Sequence, residues 1–181
     1  IKKQEGKRVF LLTGSAGMGK SAITAKVVQS LEVNGWLVLA FRLDYLSPTD
    51  SALQLGQNLG LTYSPVKALS QAAGGRPCLL LIDQLDAVSK TSGRQQQFYG
   101  VVRELLDEAA LESNMRVLLA CREFDLANDD RFQQLVRGQN AVAQPLAVSL
   151  LAIEQVTNAL SGAGFDPSRL NQRQIEILRT P

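Results

Sequence analysis

The sequence predicts an α/β fold: a parallel sheet of about five strands, covered by helices on both faces. Three observations predict it. Short apolar runs at 9–13, 36–41, 78–82 and 117–121 alternate with stretches of helical period. The first run leads into a glycine-rich loop that opens a helix. The third and fourth runs end in charged residues, Asp83 and Arg122, as buried strands do when they deliver a side chain to the sheet edge. The chain has 181 residues, 45% of them hydrophobic, and a net charge of +2, which suits one packed domain rather than a disordered segment.

The elements follow in order. Val9-Phe10-Leu11-Leu12-Thr13 is short, apolar and closed by glycines, the signature of a buried strand. Residues 20–33 form a helix with Ile23, Val27 and Leu31 on one face, ended by Asn34-Gly35. Residues 36–41 are a second strand, and 51–58 a short helix. Ser64-Pro65 caps another helix that Gly74-Gly75 closes. Cys78–Ile82 is the third strand. A long amphipathic helix over 94–112 places Phe98, Val101, Val102, Leu105, Leu106 and Ala109 on one face. Val117–Cys121 is the fourth strand, followed by a helix over 126–137. A weaker strand at 141–148 contains Pro145, which suits a sheet edge. Beyond 150 only helices are expected, at 152–162 and 171–179. The pattern therefore divides into a β/α core over 1–150 and the start of a helical appendage over 151–181.

Composition narrows the chemistry. There is no histidine, which excludes a histidine general base, a Ser-His-Asp triad and any histidine metal site. Two cysteines are too few for a disulfide framework or a four-cysteine zinc site. Their strand positions set them too far apart to bond, which fits a reducing, cytoplasmic setting. No run approaches the roughly 20 apolar residues of a membrane span, so no membrane partner is expected. Lys2, Lys3, Lys7 and Arg8 read as a solvated terminal segment. No basic stripe with interleaved aromatics supports direct nucleic-acid binding. A first residue that is Ile, and an end at Arg179-Thr180-Pro181 without a capping pattern, suggest a piece of a longer chain.

The strongest motif is Gly14-Ser15-Ala16-Gly17-Met18-Gly19-Lys20-Ser21, a full match to G-x-x-x-x-G-K-[ST] between a strand and a helix. Its glycines let the backbone approach phosphates, and successive N–H groups with the helix N-terminus attract anionic oxygen. Lys20 adds charge at the β and γ phosphates, and the Ser21 hydroxyl ligates Mg²⁺. Asp83 ends an apolar strand and is the second Mg²⁺ residue. Many strand-type ATPases follow that aspartate with a glutamate that orients water. Here the position holds Gln84, and the next carboxylate is Asp86, which either polarises water or caps a turn. Arg122 approaches the γ-phosphate if its strand lies between the first and third. The alternative is a surface arginine paired with Glu123 or Asp125. These residues imply ATP and Mg²⁺ as ligand and cofactor.

Together the loop, the D-x-x-D after the third strand and the strand ending in Cys121-Arg122 resemble the STAND class of P-loop NTPases. These are signalling ATPases related to the NACHT and AAA+ groups, and bacterial members are the most similar. The resemblance implies an additional-strand sheet and a helical lid starting after residue 150. It also implies a proline, here Pro181, near the adenine and ribose. Flanking effector and sensor domains would bring homo-oligomer assembly and recognition of a protein ligand outside this segment. Some bacterial relatives act in antiviral defence. The departures are Cys121, where serine or threonine is common, and Gln84, where a small residue is usual. Other functions with the same loop are an AAA+ remodelling motor, a non-hydrolysing nucleotide scaffold, or a small-molecule kinase with Arg131 and Arg137 as lid arginines. A GTPase is disfavoured because no N/T-K-x-D segment follows a strand.

Overall fold

The computed structural model describes residues 7–179. Its five strands are β1 (Val9–Gly14), β2 (Leu37–Arg42), β3 (Cys78–Asp83), β4 (Met115–Arg122) and β5 (Ala143–Ala147). All neighbours pair in parallel, in the order β2-β3-β4-β1-β5. β4 therefore lies between β1 and β3, as the Arg122 reading required. β5 takes the edge beside β1, where Pro145 sits opposite Leu11 and the missing N–H costs no inner ladder bond.

Alternation along the inner strands divides the apolar residues between two layers. Leu11, Leu80, Ile82, Val117 and Leu119 face the larger core. That core is closed by α2 (Ala52–Asn58), α3 (Pro65–Ala73), α4 (Tyr99–Ala110) and α6 (Asp130–Val136). Leu12, Leu79, Leu81, Leu118 and Ala120 face the other way, against Ile23, Val27, Val28 and Leu31 of α1 (Lys20–Val33). This second layer is thin: Thr24 is the one buried residue of α1.

Local signals start and stop α2 and α3 where the sequence placed them. The Ser51 and Ser64 hydroxyls accept from the N–H groups of Gln54 and Lys67, and Gly74 closes α3 at φ +56°. Both cysteines are free and buried, Cys78 at the start of β3 and Cys121 near the end of β4.

Three expectations need correction. The helix expected over 94–112 begins only at Tyr99, after a single 3-10 turn at Gln96–Phe98. Gly93 packs on the backbone of Ala87 and Ser89, where a Cβ would lie 2.4 Å from the Ser89 nitrogen, so the chain is still turning there. The helix expected over 126–137 is two helices, α5 (Glu123–Asn128) and α6. Asp129 is extended between them and caps α6 with its own carboxylate. Arg8 is not a solvated terminal cation. It donates to the carbonyls of Glu112 (2.8 Å) and Ala110 (3.0 Å), at the negative end of α4. Lys2 and Lys3 lie outside the described residues.

After β5 come α7 (Ile153–Gly162) and α8 (Gln172–Leu178). Arg179 ties their ends together, with its Nε donating to the Leu151 carbonyl at 2.8 Å. No described helix is long and apolar enough to cross a membrane.

Candidate functional site

Every strand of a parallel sheet ends on the same side, so the loops after β1, β3 and β4 share one edge. Register brings Gly14 directly beside Arg122. Space is tight there: a Cβ on Gly14 would lie 3.1 Å from Cβ of Val148. The loop then needs left-handed backbone at Gly17 (φ +78°) and Gly19 (φ +71°), which side chains other than glycine rarely adopt. Gly19 is the N-cap of α1 and supplies no side-chain acceptor, so the first N–H groups of the helix are left for an incoming anion. The Lys20 ammonium folds back over the loop and donates to the carbonyls of Gly14 (2.7 Å) and Ser15 (2.9 Å). Ala16, Gly17, Met18, Gly19, Lys20 and Ser21 line a cleft of about 410 Å³ that Gln84 and Arg122 close from the far side.

Ser21 also borders a second cleft, which it shares with Asp83 and Arg42. Asp83 is 9% exposed at the tip of β3, and its Oδ1 accepts from the Gln84 N–H at 2.8 Å. A hydroxyl and a carboxylate on one cleft form the oxygen donor set that suits a small hard cation. The loop's open glycines and this donor set thus fit a phosphate chain with Mg²⁺.

Gln84 has φ +56°, the one left-handed residue other than glycine among the described residues. Such a conformation costs about 1–3 kcal/mol, and its side chain borders both the phosphate-loop cleft and the neighbouring one. Sequence reading found Gln84 as a departure but had no signal for its backbone. A 3-10 turn, Leu85–Val88, follows and buries Asp86, which is 6% exposed. The partner of Arg122 is this Asp86, with Nε to Oδ2 at 3.2 Å, rather than Glu123 or Asp125. Oδ1 of Asp86 is buried without a hydrogen-bond partner. Burial pushes the Asp86 carboxyl up, and the charge of Arg122 opposes that shift. Asp125 is fully buried instead against the Ser92 hydroxyl. Pro181 lies outside the described residues.

A second polar network escaped sequence reading because its members are distant in the chain. Asp129 accepts from the Lys90 N–H (2.7 Å) and from the Arg131 side chain (2.8 Å). Arg131 also donates to the Val88 carbonyl and lies 4.5 Å above the Tyr99 ring. It is therefore locked into the scaffold, which removes it as a mobile lid arginine. Arg137 stands exposed at the end of α6.

Sheet order, phosphate loop and strand-end acid together define a P-loop NTPase fold. The comparisons narrow the class. The family model for the ATPase family associated with various cellular activities (AAA) matches residues 10–138, and the chain belongs to that family. It is similar to the peroxisomal ATPase PEX6 of Yarrowia lipolytica, 26% identical over 132 residues, which are 72% of this chain and 12% of that protein. AMPPCP-bound DnaA from Aquifex aeolicus shares the fold with TM-score 0.58 at 15% identity, covering 95% of this chain and 49% of that one. The Walker-type ATPase of Pyrococcus abyssi does so with TM-score 0.57 at 13% identity, covering 96% and 58%. The chain thus spans about half of each structural neighbour and a small part of PEX6.

The Asp129 network has a measurable signature. Burial alone would raise its carboxyl, but hydrogen bonds from Arg131 and the Lys90 N–H outweigh this and hold it at about 2, against an ordinary 3.8. Stability from this ionised group is present above pH ~4 and lost as pH falls toward ~2, by about 2 kcal/mol. Urea unfolding should show that loss in the parent chain and a correspondingly smaller one in Asp129→Asn. Equal pH dependence in the two would contradict the assignment.

Proposed function

We propose that this chain is the Mg²⁺–ATP-binding module of a larger ATPase, one that hydrolyses slowly and uses its nucleotide state to control assembly. The observation that carries the reading is the phosphate loop at the N-terminus of α1, with Ser21 and Asp83 on a common cleft. Gly14, Ser15, Ala16, Gly17, Met18 and Gly19 present backbone N–H groups to the β-phosphate. Lys20 leaves the Gly14 and Ser15 carbonyls for the β and γ phosphates, exchanging neutral acceptors for charged ones. Ser21 and Asp83 hold the cation, which would neutralise charge on the phosphate oxygens. Arg122, which lines the phosphate-loop cleft, meets the γ-phosphate. Asp86 offers its unpartnered Oδ1 to the attacking water, and Gln84 lines the space between them. Pro181 would border the base and ribose.

ATP is favoured over GTP by the family's description as ATPases and by the missing guanine-reading segment. Within that family the finer reading is a cytoplasmic signalling switch of the STAND class. Its support is the phosphate loop, the Asp83-x-x-Asp86 spacing after the third strand and the strand that ends in Arg122, while Cys121 and Gln84 depart from that class. Homo-oligomer assembly through flanking domains, a protein ligand bound outside this segment and an antiviral output belong to that reading. A remodelling motor is the second reading, favoured by the likeness to PEX6.

Two measurements test these proposals. Lys20→Ala should weaken ATP binding by about 2–5 kcal/mol, the cost of removing one partner of a close charge pair. Unchanged affinity by calorimetry would overturn the loop assignment. Phosphate release by residues 1–181 should stay below about 1 s⁻¹, under the usual enzyme range, because no carboxylate stands next to Asp83. Faster turnover would favour the motor over the switch.

A further inference from the structure

Among the clefts that Arg122 borders, two bear on the nucleotide. One is the phosphate-loop cleft with Gly17, Lys20 and Ser21. The other, of about 440 Å³, is lined by Asp44, Asp86, Ser92 and Arg94. Its guanidinium is half exposed, while the carboxylate it touches is almost completely enclosed. The enclosed partner cannot follow the cation; the exposed one is free to turn. Asp86 also carries a second oxygen with no donor, so its negative charge is only partly compensated. We propose that Asp86 and the γ-phosphate compete for Arg122, so that Asp86 sets how sharply the site tells a nucleoside triphosphate from a diphosphate. The proposal rests on the nucleotide-binding reading above.

A diphosphate leaves the Arg122–Asp86 pair undisturbed, because its terminal phosphate stays on the loop and Lys20. A triphosphate adds charge on the Arg122 side of the cleft. Binding it must then loosen the pair and leave Asp86 buried without its cation, which subtracts from the gain of the new contact. Asp86 is in this account a specificity-determining residue acting through Arg122. Release of the pair also frees Oδ2 of Asp86 beside the already unpartnered Oδ1, and removes the compensating cation only when a γ-phosphate is present, which links selectivity to readiness for hydrolysis.

The test is the affinity ratio of AMPPCP to ADP, measured by calorimetry with Mg²⁺. Asp86→Asn should raise the triphosphate preference about three- to tenfold, since the competing charge is gone. Asp86→Ser should shift it in the same direction and serves if the amide variant folds poorly. Arg122→Gln should lower the ratio below that of the parent, to the share that Lys20 supplies through the γ-phosphate. In the Arg122→Gln background Asp86→Asn should then change nothing, which separates competition for Arg122 from simple charge removal. An unchanged or lowered ratio in both Asp86 variants overturns the proposal, as does the same gain with and without Arg122. Failure of the underlying reading looks different: the parent chain would bind neither nucleotide, and both proposals would fall together.

Discussion

The hydrogen-bond ladder between β1 and β4 is the constraint on which the rest of the site depends. It places Gly14 opposite Arg122 and seats β4 between β1 and β3. Because the pairing is parallel, side chains remote in the chain arrive at one edge together: the phosphate loop from β1, Asp83 from β3, Arg122 from β4. A one-residue slip would turn every inner side chain to the opposite face. The apolar division between Leu11, Val117 and Leu119 on one side and Leu12, Leu118 and Ala120 on the other forbids that slip. Core packing thus fixes the geometry of the loops.

What was legible in the sequence was local. Glycine spacing before Lys20 marks the phosphate loop because those backbone angles exclude other residues. Ser51, Ser64-Pro65 and Gly74 announce helix ends because capping acts within three or four residues. Strand order was legible only conditionally, through the arginine that ends β4. The break at Asp129 was not legible: its cause is the Lys90 N–H, 39 residues away, together with the fork of Arg131. Apolar periodicity ran across 126–137 without registering a buried acid between two short helices. Likewise the start of α4 is set by Gly93 folding against Ala87 and Ser89, a contact that no periodic pattern encodes. For Arg122 the sequence offered neighbours as partners, but the sheet supplied Asp86 from another loop.

Local rules are broken where the candidate chemistry sits. Gln84 holds a left-handed backbone, Asp86 and Asp125 each bury an oxygen without a partner, and Lys20 is bonded to carbonyls rather than to a carboxylate. Elsewhere charged side chains near the core are matched, as in Asp129 with Arg131 or Arg8 with the end of α4. This contrast is expected of a scaffold that stabilises a strained, under-compensated edge through a well-satisfied body. The uneven layering fits the same division. Four helices secure one face of the sheet, while α1, which the glycine-rich loop opens, is held mainly by partly buried residues.

The central claim is that Ser21 and Asp83 form one cation site serving a nucleotide on the phosphate loop. Its most direct test is the Mg²⁺ dependence of ATP affinity in the parent chain and in Asp83→Asn. Added Mg²⁺ should tighten binding by at least about tenfold in the parent, equivalent to roughly 1.4 kcal/mol. In Asp83→Asn most of that gain should vanish, while affinity without Mg²⁺ and the unfolding midpoint stay close to those of the parent. The same Mg²⁺ dependence in both proteins would contradict the claim.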